Sequence, residues 1–465
     1  MDLFDIVSKI NSILWGPVML FLLLGTGVLF TFKLRFLQIR KMKYAFKETF
    51  KGIFKKGDRA NEDGMSSFQA LSTAIAAQVG TGNLAGVATA IAAGGPGAIF
   101  WMWISGFFGM STIFAEAILA QVYKKRVDGE VTGGPAYYIT DGLKNKYLAA
   151  FFSIAIILAL GFMGNMVQSN SIGAAVSGAF NINPLFVGIG VAIIVGLIII
   201  GGIGRIASFT EKIVPFMAIF YILGSLIIVF SNYENIIPAF KMIIYGAFNP
   251  MAATGGLIGA TIKESFRYGI ARGLFSNEAG MGSTPHAHAV AKVKHPGQQG
   301  LVALMGVIID TGIVCTLTAL VILTTGSIEA GLSGAALTQE GFMRGFGGFG
   351  SYFIAICLFF FSLSTIIGWY FFGESNVKFL FGKKGLGLYR AIVLLCIIVG
   401  TTMKVELVWE LADTFNALMV IPNLIALLGM TSLIVKVTND YENNFEKNKP
   451  SQYINTEDKL RNPQY

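Results

Sequence analysis

Apolar runs recur along the chain at residues 11–32, 66–93, 97–123, 147–178, 184–203 and 209–231, then at 250–291, 298–325, 347–373, 387–403 and 412–435. Each approaches or exceeds the roughly 20 residues that carry a helix across the hydrocarbon layer. The pattern predicts an all-α integral membrane protein with eleven transmembrane helices. The final segment, NDYENNFEKNKPSQYINTEDKLRNPQY, is polar and poor in branched apolar residues, so it is expected to be mobile.

The basic residues test this count independently of hydropathy, because cytoplasmic loops carry the excess of Lys and Arg. With the segment after the first run placed in the cytoplasm, 28 of the 35 Lys and Arg fall on that side. Lys9, Lys241, Arg344 and Lys404 fall on the other, and Lys263, Arg267 and Arg272 lie within the seventh run. A miscount by one run would scramble this alternation. The expected topology is therefore an outside N-terminus and a cytoplasmic C-terminus in a multi-pass plasma-membrane protein. The basic stretch from Lys33 to Met65 is partly amphipathic. It either lies along the membrane surface or serves as topogenic charge beside anionic lipid.

Composition agrees with the bilayer as solvent. Of 465 residues, 54% are hydrophobic, only 13% are charged and 56 are glycine, against about a quarter charged and about 7% glycine in soluble domains. The net charge of +9 is largely topogenic and implies neither a nucleic-acid partner nor an obligate protein partner. Cys315, Cys357 and Cys396 each lie in an apolar run without a CxxC neighbour, so no disulfide or transition-metal framework is expected. Asp2 and Asp5 stand where a signal peptide would carry basic residues, and the first run is read as a retained span.

Two runs carry sequences that a continuous helix tolerates poorly. SSFQALSTAIAAQVGTGNLAGVATAIAAGG places Gly80, Gly82 and Gly86 around Thr81 and Asn83. GATIKESFRYGIARGLFSNEAGMGSTPHAHAVA places Gly269, Gly273, Gly280 and Gly282 around Ser276, Asn277 and Glu278. Backbone without internal hydrogen bonds survives in hydrocarbon only where it lines a polar cavity or is buried in protein. Close helix packing through small residues also explains glycine, but it does not explain cap-type residues at midspan. The two runs are second and seventh of eleven, which predicts a five-plus-five inverted repeat, spans 2 to 6 and 7 to 11, each opened by a discontinuous helix. The organisation expected is an extra first helix with a basic segment (1–65), two five-helix repeats (66–248 and 249–436) and a cytoplasmic tail (437–465).

GGPGAIFWMWISGFFG, from Gly94 to Gly109, and RGLFSNEAGMGSTP, from Arg272 to Pro285, resemble the two signatures of the alanine or glycine:cation symporter family. With the matching layout of spans, the resemblance covers the chain from the first span to the last. It implies a leucine-transporter-like fold and sodium-coupled uptake of alanine or glycine, with Na+ as the co-transported ion and no other cofactor. Under that resemblance the substrate carboxylate meets the backbone amides of Thr81 and Gly82. Gln78 lies close by, either binding substrate or capping the break. The ammonium meets carbonyls near Gly273, Phe275 and Ser276, and Asn277 caps the following half-helix. Sodium takes the carbonyls of Ala76 and Val79 and the hydroxyls of Ser364 and Thr365. Those hydroxyls have a competing use, bonding carbonyls one turn back in their own helix. Trp369, one turn after Thr365, would set its indole against the substrate side chain or act as an ordinary bundle aromatic. Asn165 and Gln168 in the fourth span would line the cavity or join helices.

Glu116, Glu278, Asp310 and Glu374 are the remaining carboxylates in or near spans, where acids are functional candidates. Glu278 also suits a helix cap, Glu374 an interface, and Asp310 proton coupling. His286, His288 and His295 are expected to be solvated loop residues. The function expected is sodium symport of small neutral amino acids by alternating access. A proton-coupled carrier of the same fold and, further off, a channel are the alternatives. An enzyme is not expected, since no HExxH, GxSxG or paired Cys/His set occurs.

Overall fold

The computed structural model describes residues 3–54, 60–61, 64–249, 261–403 and 406–453. Parts of the sequence reading therefore lie outside the described residues: Asp2, 55–59 and 62–63 of the basic segment, 250–260 at the start of the seventh run, Lys404, and the tail after Tyr453. The chain is a helical bundle. Its helices in order are α1 Leu3–Leu14, α2 Pro17–Lys33, α3 Leu37–Arg40, α4 Met42–Phe54, α5 Ser67–Gln78, α6 Val87–Gly94, α7 Ala98–Val122 and α8 Pro135–Gly142. They continue with α9 Lys146–Ile156, α10 Asn165–Phe180, α11 Pro184–Ile199, α12 Gly202–Ser231, α13 Ile236–Phe248, α14 Ile262–Asn277, α15 Pro285–Ala289 and α16 Pro296–Val307. The last six are α17 Thr316–Thr324, α18 Gly334–Phe346, α19 Phe349–Phe381, α20 Leu386–Thr402, α21 Glu406–Gly429 and α22 Thr431–Asp440.

Among the described residues, seven helical stretches are long and apolar enough to cross a membrane, and eight if the bent pair α5 and α6 counts as one span. One of the seven joins α19 to α20, and α11 is apolar but shorter. Local sequence accounts for where many helices start. Ser66 with Gln69 and Thr261 with Glu264 form capping boxes ahead of α5 and α14, and Pro17 and Pro184 open α2 and α11, where a missing N–H costs nothing. Gly16 and Pro17 mark the junction of α1 and α2 within one apolar stretch, Phe4–Lys33, and α1 packs on α21.

The core is built where the two halves of the chain meet. Helix α5 packs on α12, α16 and α19, and α7 packs on α14 and α16. A Cβ at Gly269 would lie 2.2 Å from the Ala98 carbonyl oxygen, and one at Gly97 would lie 2.2 Å from the Gly246 carbonyl carbon. These two glycines therefore let α14 and α13 approach the start of α7.

Both expected discontinuities are present. Helix α5 stops at Gln78, Val79 is extended, and the axis turns by 52° before Gly82. Residues Gly82–Gly86 then form a wide turn of π type. Helix α14 runs unbroken to Asn277, after which Glu278, Gly280 and Gly282 take φ values of 56°, 86° and 79°. The second break therefore begins after Asn277 and lasts until the short α15. Its amides are met by Glu116 of α7, a fully buried carboxylate that accepts N–H groups from Gly280 at 3.1 Å and Gly282 at 2.9 Å. Asn423 of α21 also donates to Glu116 at 2.7 Å and to the Gly280 carbonyl at 2.9 Å.

Other expectations are corrected by the packing. His286, His288 and His295 are at most 1% exposed, because the chain after the second break turns back into the bundle. His286 sits between the Ser283 carbonyl and Asn376, and His288 faces Gln299. Glu374 is likewise buried and paired with Lys378 at 2.8 Å. The tail is folded as far as Tyr453. Asp440 meets His295 at 3.2 Å, Glu442 meets Arg40 at 2.9 Å, and Tyr441 is buried. Burial pushes the Asp440 carboxyl up, but hydrogen bonds from Ser451, Asn444 and His295 outweigh it and hold the pKa at about 2. A small antiparallel hairpin, β1 Lys125–Val127 and β2 Glu130–Thr132, places Glu130 2.7 Å from Lys378.

Replacing Glu116 with Ala strands two amides in an apolar interior and takes from Asn423 one of its two acceptors. The expected loss of stability is roughly 2 kcal/mol or more, read as a lowered unfolding temperature of the detergent-purified protein. Glu116→Gln, which keeps an acceptor oxygen, is expected to lose less.

Candidate functional site

The first break exposes carbonyls because its amides are used elsewhere. The Gly80 N–H, which would continue the α5 ladder to Ala76, donates instead to Asn83 Oδ1 at 2.9 Å. The freed carbonyls face α19. Thr365 Oγ1 lies 3.0 Å from the Ala76 oxygen, 3.3 Å from the Val79 oxygen and 2.9 Å from the Phe361 oxygen. A Cβ at Gly80 would come within 2.5 Å of that hydroxyl. Three of the four residues expected around sodium thus converge. Ser364 does not join them, since adjacent helix positions point about 100° apart. Its hydroxyl bonds Phe361 O at 2.9 Å and faces Met217 Sδ at 3.3 Å.

A carboxylate joins the two breaks. Asp310 is fully buried in a π-type stretch, Ile308–Cys315, and accepts from Asn83 Nδ2 at 2.5 Å and Ser276 Oγ at 3.0 Å on one oxygen. Its other oxygen accepts from Thr311 Oγ1 at 2.7 Å. Asn83 belongs to the first break and Ser276 to the last turn before the second. A direct bond repeats the link, from Gln78 Nε2 to the Asn277 carbonyl at 2.6 Å. Sequence reasoning singled out Asp310 as an intramembrane acid but missed its partner Asn83. Its place in the run Gly80-Thr81-Gly82-Asn83 was the available signal. Among the described residues no group of three or more His, Cys, Asp or Glu is arranged to hold a metal ion.

Beside the breaks lies a cavity of about 580 Å³. Of the residues expected to bind substrate, Thr81, Gly82 and Phe275 line it. Gln168 stands one step behind, donating to Thr81 Oγ1 at 3.1 Å. Asn165 bonds its own helix at Gly161. Among the described residues the buried acceptor oxygens of Gln78, Asn165 and Gln168 have no hydrogen-bond partner, which leaves each with acceptor capacity close behind the cavity wall.

Three residues sit differently from expectation. Gly273 lies inside continuous α14, where a Cβ would come within 2.1 Å of Ser105 Oγ, so it serves the α7 contact. Asn277 ends α14 and accepts from the Ala279 amide at 3.0 Å; the cap position of α15 belongs to Thr284. Trp369 does not line the cavity, because its indole N–H is held by Glu278 at 2.8 Å and its ring packs over Gly164. Charges that were not expected do line it: Arg272 from α14, and Glu410 and Asp413 from α21.

Known proteins are similar in sequence over nearly the whole chain. The sodium/alanine symporter AgcS of Methanococcus maripaludis is 46% identical, over 97% of this chain and 99% of its own length. A Bacillus subtilis protein named "Probable sodium/glutamine symporter GlnT" is 42% identical over 94% of this chain and 90% of its own. Among solved structures, a manganese transporter of Eremococcus coleocola superposes with a TM-score of 0.52, covering 85% of this chain and 82% of that one at 15% identity, a likeness of fold alone. The description of the sodium:alanine symporter family fits residues 1–455. With its apolar helices and its transporter relatives, this chain is a multi-pass membrane protein, a transporter and not an enzyme, and it belongs to the sodium:alanine symporter family.

Proposed function

We propose that the protein carries alanine or glycine into the cell together with sodium by alternating access. The observation that carries this reading is the convergence of Thr365 Oγ1 on the Ala76 and Val79 carbonyls, next to a cavity whose wall includes Thr81 and Gly82. Carbonyl dipoles and a hydroxyl suit a small monovalent cation, while free amides at a helix break suit a carboxylate. One sodium ion entering down 100 mV supplies about 2.3 kcal/mol. A tenfold gradient adds about 1.4 kcal/mol, and the sum supports accumulation of roughly 500-fold.

The reading includes eleven crossings in two inverted five-helix units. In its support, described helices fall within each of the eleven apolar runs, the seventh being described from residue 261 onward; α5 plus α6 form a bent pair and α14 is followed by a non-helical turn before α15. An outside N-terminus and a cytoplasmic C-terminus follow from 28 of 35 basic residues sharing one side. Proton coupling is the second reading. It is favoured by Asp310, which makes three hydrogen bonds and no ion pair among the described residues.

Uptake of labelled alanine into proteoliposomes is expected to require an inward sodium gradient. Uptake that ignores sodium and follows an inward proton gradient would establish the second reading instead. Thr365→Ala is expected to raise the sodium concentration for half-maximal uptake by about tenfold, and Thr365→Ser to restore it. Unchanged sodium dependence in Thr365→Ala would remove that hydroxyl from the ion site. In competition, unlabelled alanine and glycine are expected to displace the label at lower concentrations than glutamine, and the reverse order would make glutamine the substrate.

A further inference from the structure

We infer that a cavity at the ends of the spans binds the phosphate of an anionic phospholipid whose headgroup also carries hydroxyls, phosphatidylglycerol being the type that fits. The cavity measures about 490 Å³ and is lined by α4, the start of α5, the residues leading into α16 and the segment after α22. Lys33 closes the first apolar stretch, Ser67 opens the bent pair and Pro296 opens the stretch that runs to Thr324. These elements therefore meet where spans reach water. The cavity shares no lining residue with the central one, and the inference is independent of the ion and the substrate carried.

The sequence of α4 sets four strips around one helix, because residues four apart share a face. Ala45 and Thr49 are buried against the bundle. Phe46 and Phe50, 41% and 48% exposed, stack with ring centroids 6.1 Å apart. Lys43 and Lys47 form the next strip, also exposed, and Tyr44 and Glu48 the last. A helix with exposed aromatic rings beside lysines lies in the membrane interface, with its rings at the acyl chains and its ammonium groups at the level of the phosphates. Lys47 stands between the aromatic strip and the cavity that it lines with Tyr44 and Glu48. A lipid whose chains lie along Phe46 and Phe50 thus brings its headgroup to the cavity mouth.

The charges in the lining favour an anion. Three lysines, Lys47, Lys292 and Lys294, line this one volume. Among the described residues the ammonium groups of Lys47 and Lys294 make no hydrogen bond or ion pair, and that of Lys292 donates to the neutral Asn61 Oδ1 at 3.0 Å. The two carboxylates of the lining are already engaged. Glu446 is paired with Lys41 at 2.5 Å, and Glu48 accepts from Gln298 Nε2 at 3.1 Å. Lysine charge is therefore left over, and a phosphate meets it as a charge-assisted partner. The second oxygen of Glu446 is buried and has no hydrogen-bond partner among the described residues, so it has room for a hydroxyl donor of the same headgroup. A choline headgroup has no donor to give, and a headgroup of zero net charge does not offset the surplus.

The test is titration of the detergent-purified full-length protein with phosphatidylglycerol, phosphatidylethanolamine or phosphatidylcholine of identical chains, read by native mass spectrometry. The first phosphatidylglycerol is expected to bind about tenfold more tightly than either net-neutral lipid. Replacing Lys47 and Lys294 together with Gln is expected to weaken it by about thirtyfold and to leave the neutral lipids unchanged. Replacing Lys144 and Lys146 together with Gln, two exposed lysines outside the lining, is expected to change nothing. Equal affinity for the three lipids, or equal losses in the two double variants, overturns the inference. Inorganic phosphate that displaces phosphatidylglycerol at millimolar concentration makes this a site for a soluble anion and overturns the lipid assignment.

Discussion

Backbone that leaves a helix inside a membrane must find hydrogen-bond partners within the protein, because hydrocarbon offers none. This chain leaves helical geometry inside the bundle after Gln78 and again after Asn277, and much of the surrounding architecture can be read as provision for those two departures. Glu116 and Asn423 take up the amides and a carbonyl of the second break. Asn83 takes up the Gly80 amide at the first. What is left over, the Ala76 and Val79 carbonyls and the amide-bearing turn at Thr81 and Gly82, faces Thr365 and the cavity. Structural satisfaction and ligand capacity are thus two parts of one inventory of polar groups.

The breaks are also tied to each other. Gln78 reaches the end of α14, and Asp310 gathers Asn83 and Ser276 onto a single oxygen. A change in one break is therefore felt at the other through hydrogen bonds of ordinary length. That direct mechanical link suits a carrier in which ion and substrate must be bound together. Buried carboxylates held mainly by amides and hydroxyls, as at Glu116 and Asp310, keep acceptor strength in the centre without the rigidity of fixed ion pairs.

Much of the site could be read before any coordinates. Glycine beside cap-type residues pointed to both breaks, and the family resemblance named Ala76, Val79 and Thr365, which lie together, along with Ser364, which does not join them. The failures share a cause. Trp369, Asn277 and Gly273 were placed by analogy with a pocket, but an indole N–H, an amide and a glycine are also what tight packing consumes. The histidines were misjudged because a loop sequence does not disclose that its chain turns back into the bundle. Arg272, Glu410 and Asp413 reach the cavity from helices 130 or more residues apart in sequence, and no local pattern announces that meeting.

By itself the amino-acid sequence determined the solvent, the approximate limits of the helices and the two positions where helices fail, since these follow from side-chain transfer energies and backbone propensities that act locally. It also specified the distribution of positive charge, which depends only on composition between runs. Tertiary structure decided which unpaired groups are consumed by neighbours and which remain for ligands. That partition depends on distances of about 3 Å between helices far apart in the chain, such as the 2.9 Å from the Gly282 amide to Glu116 and the 3.0 Å from Thr365 to Ala76.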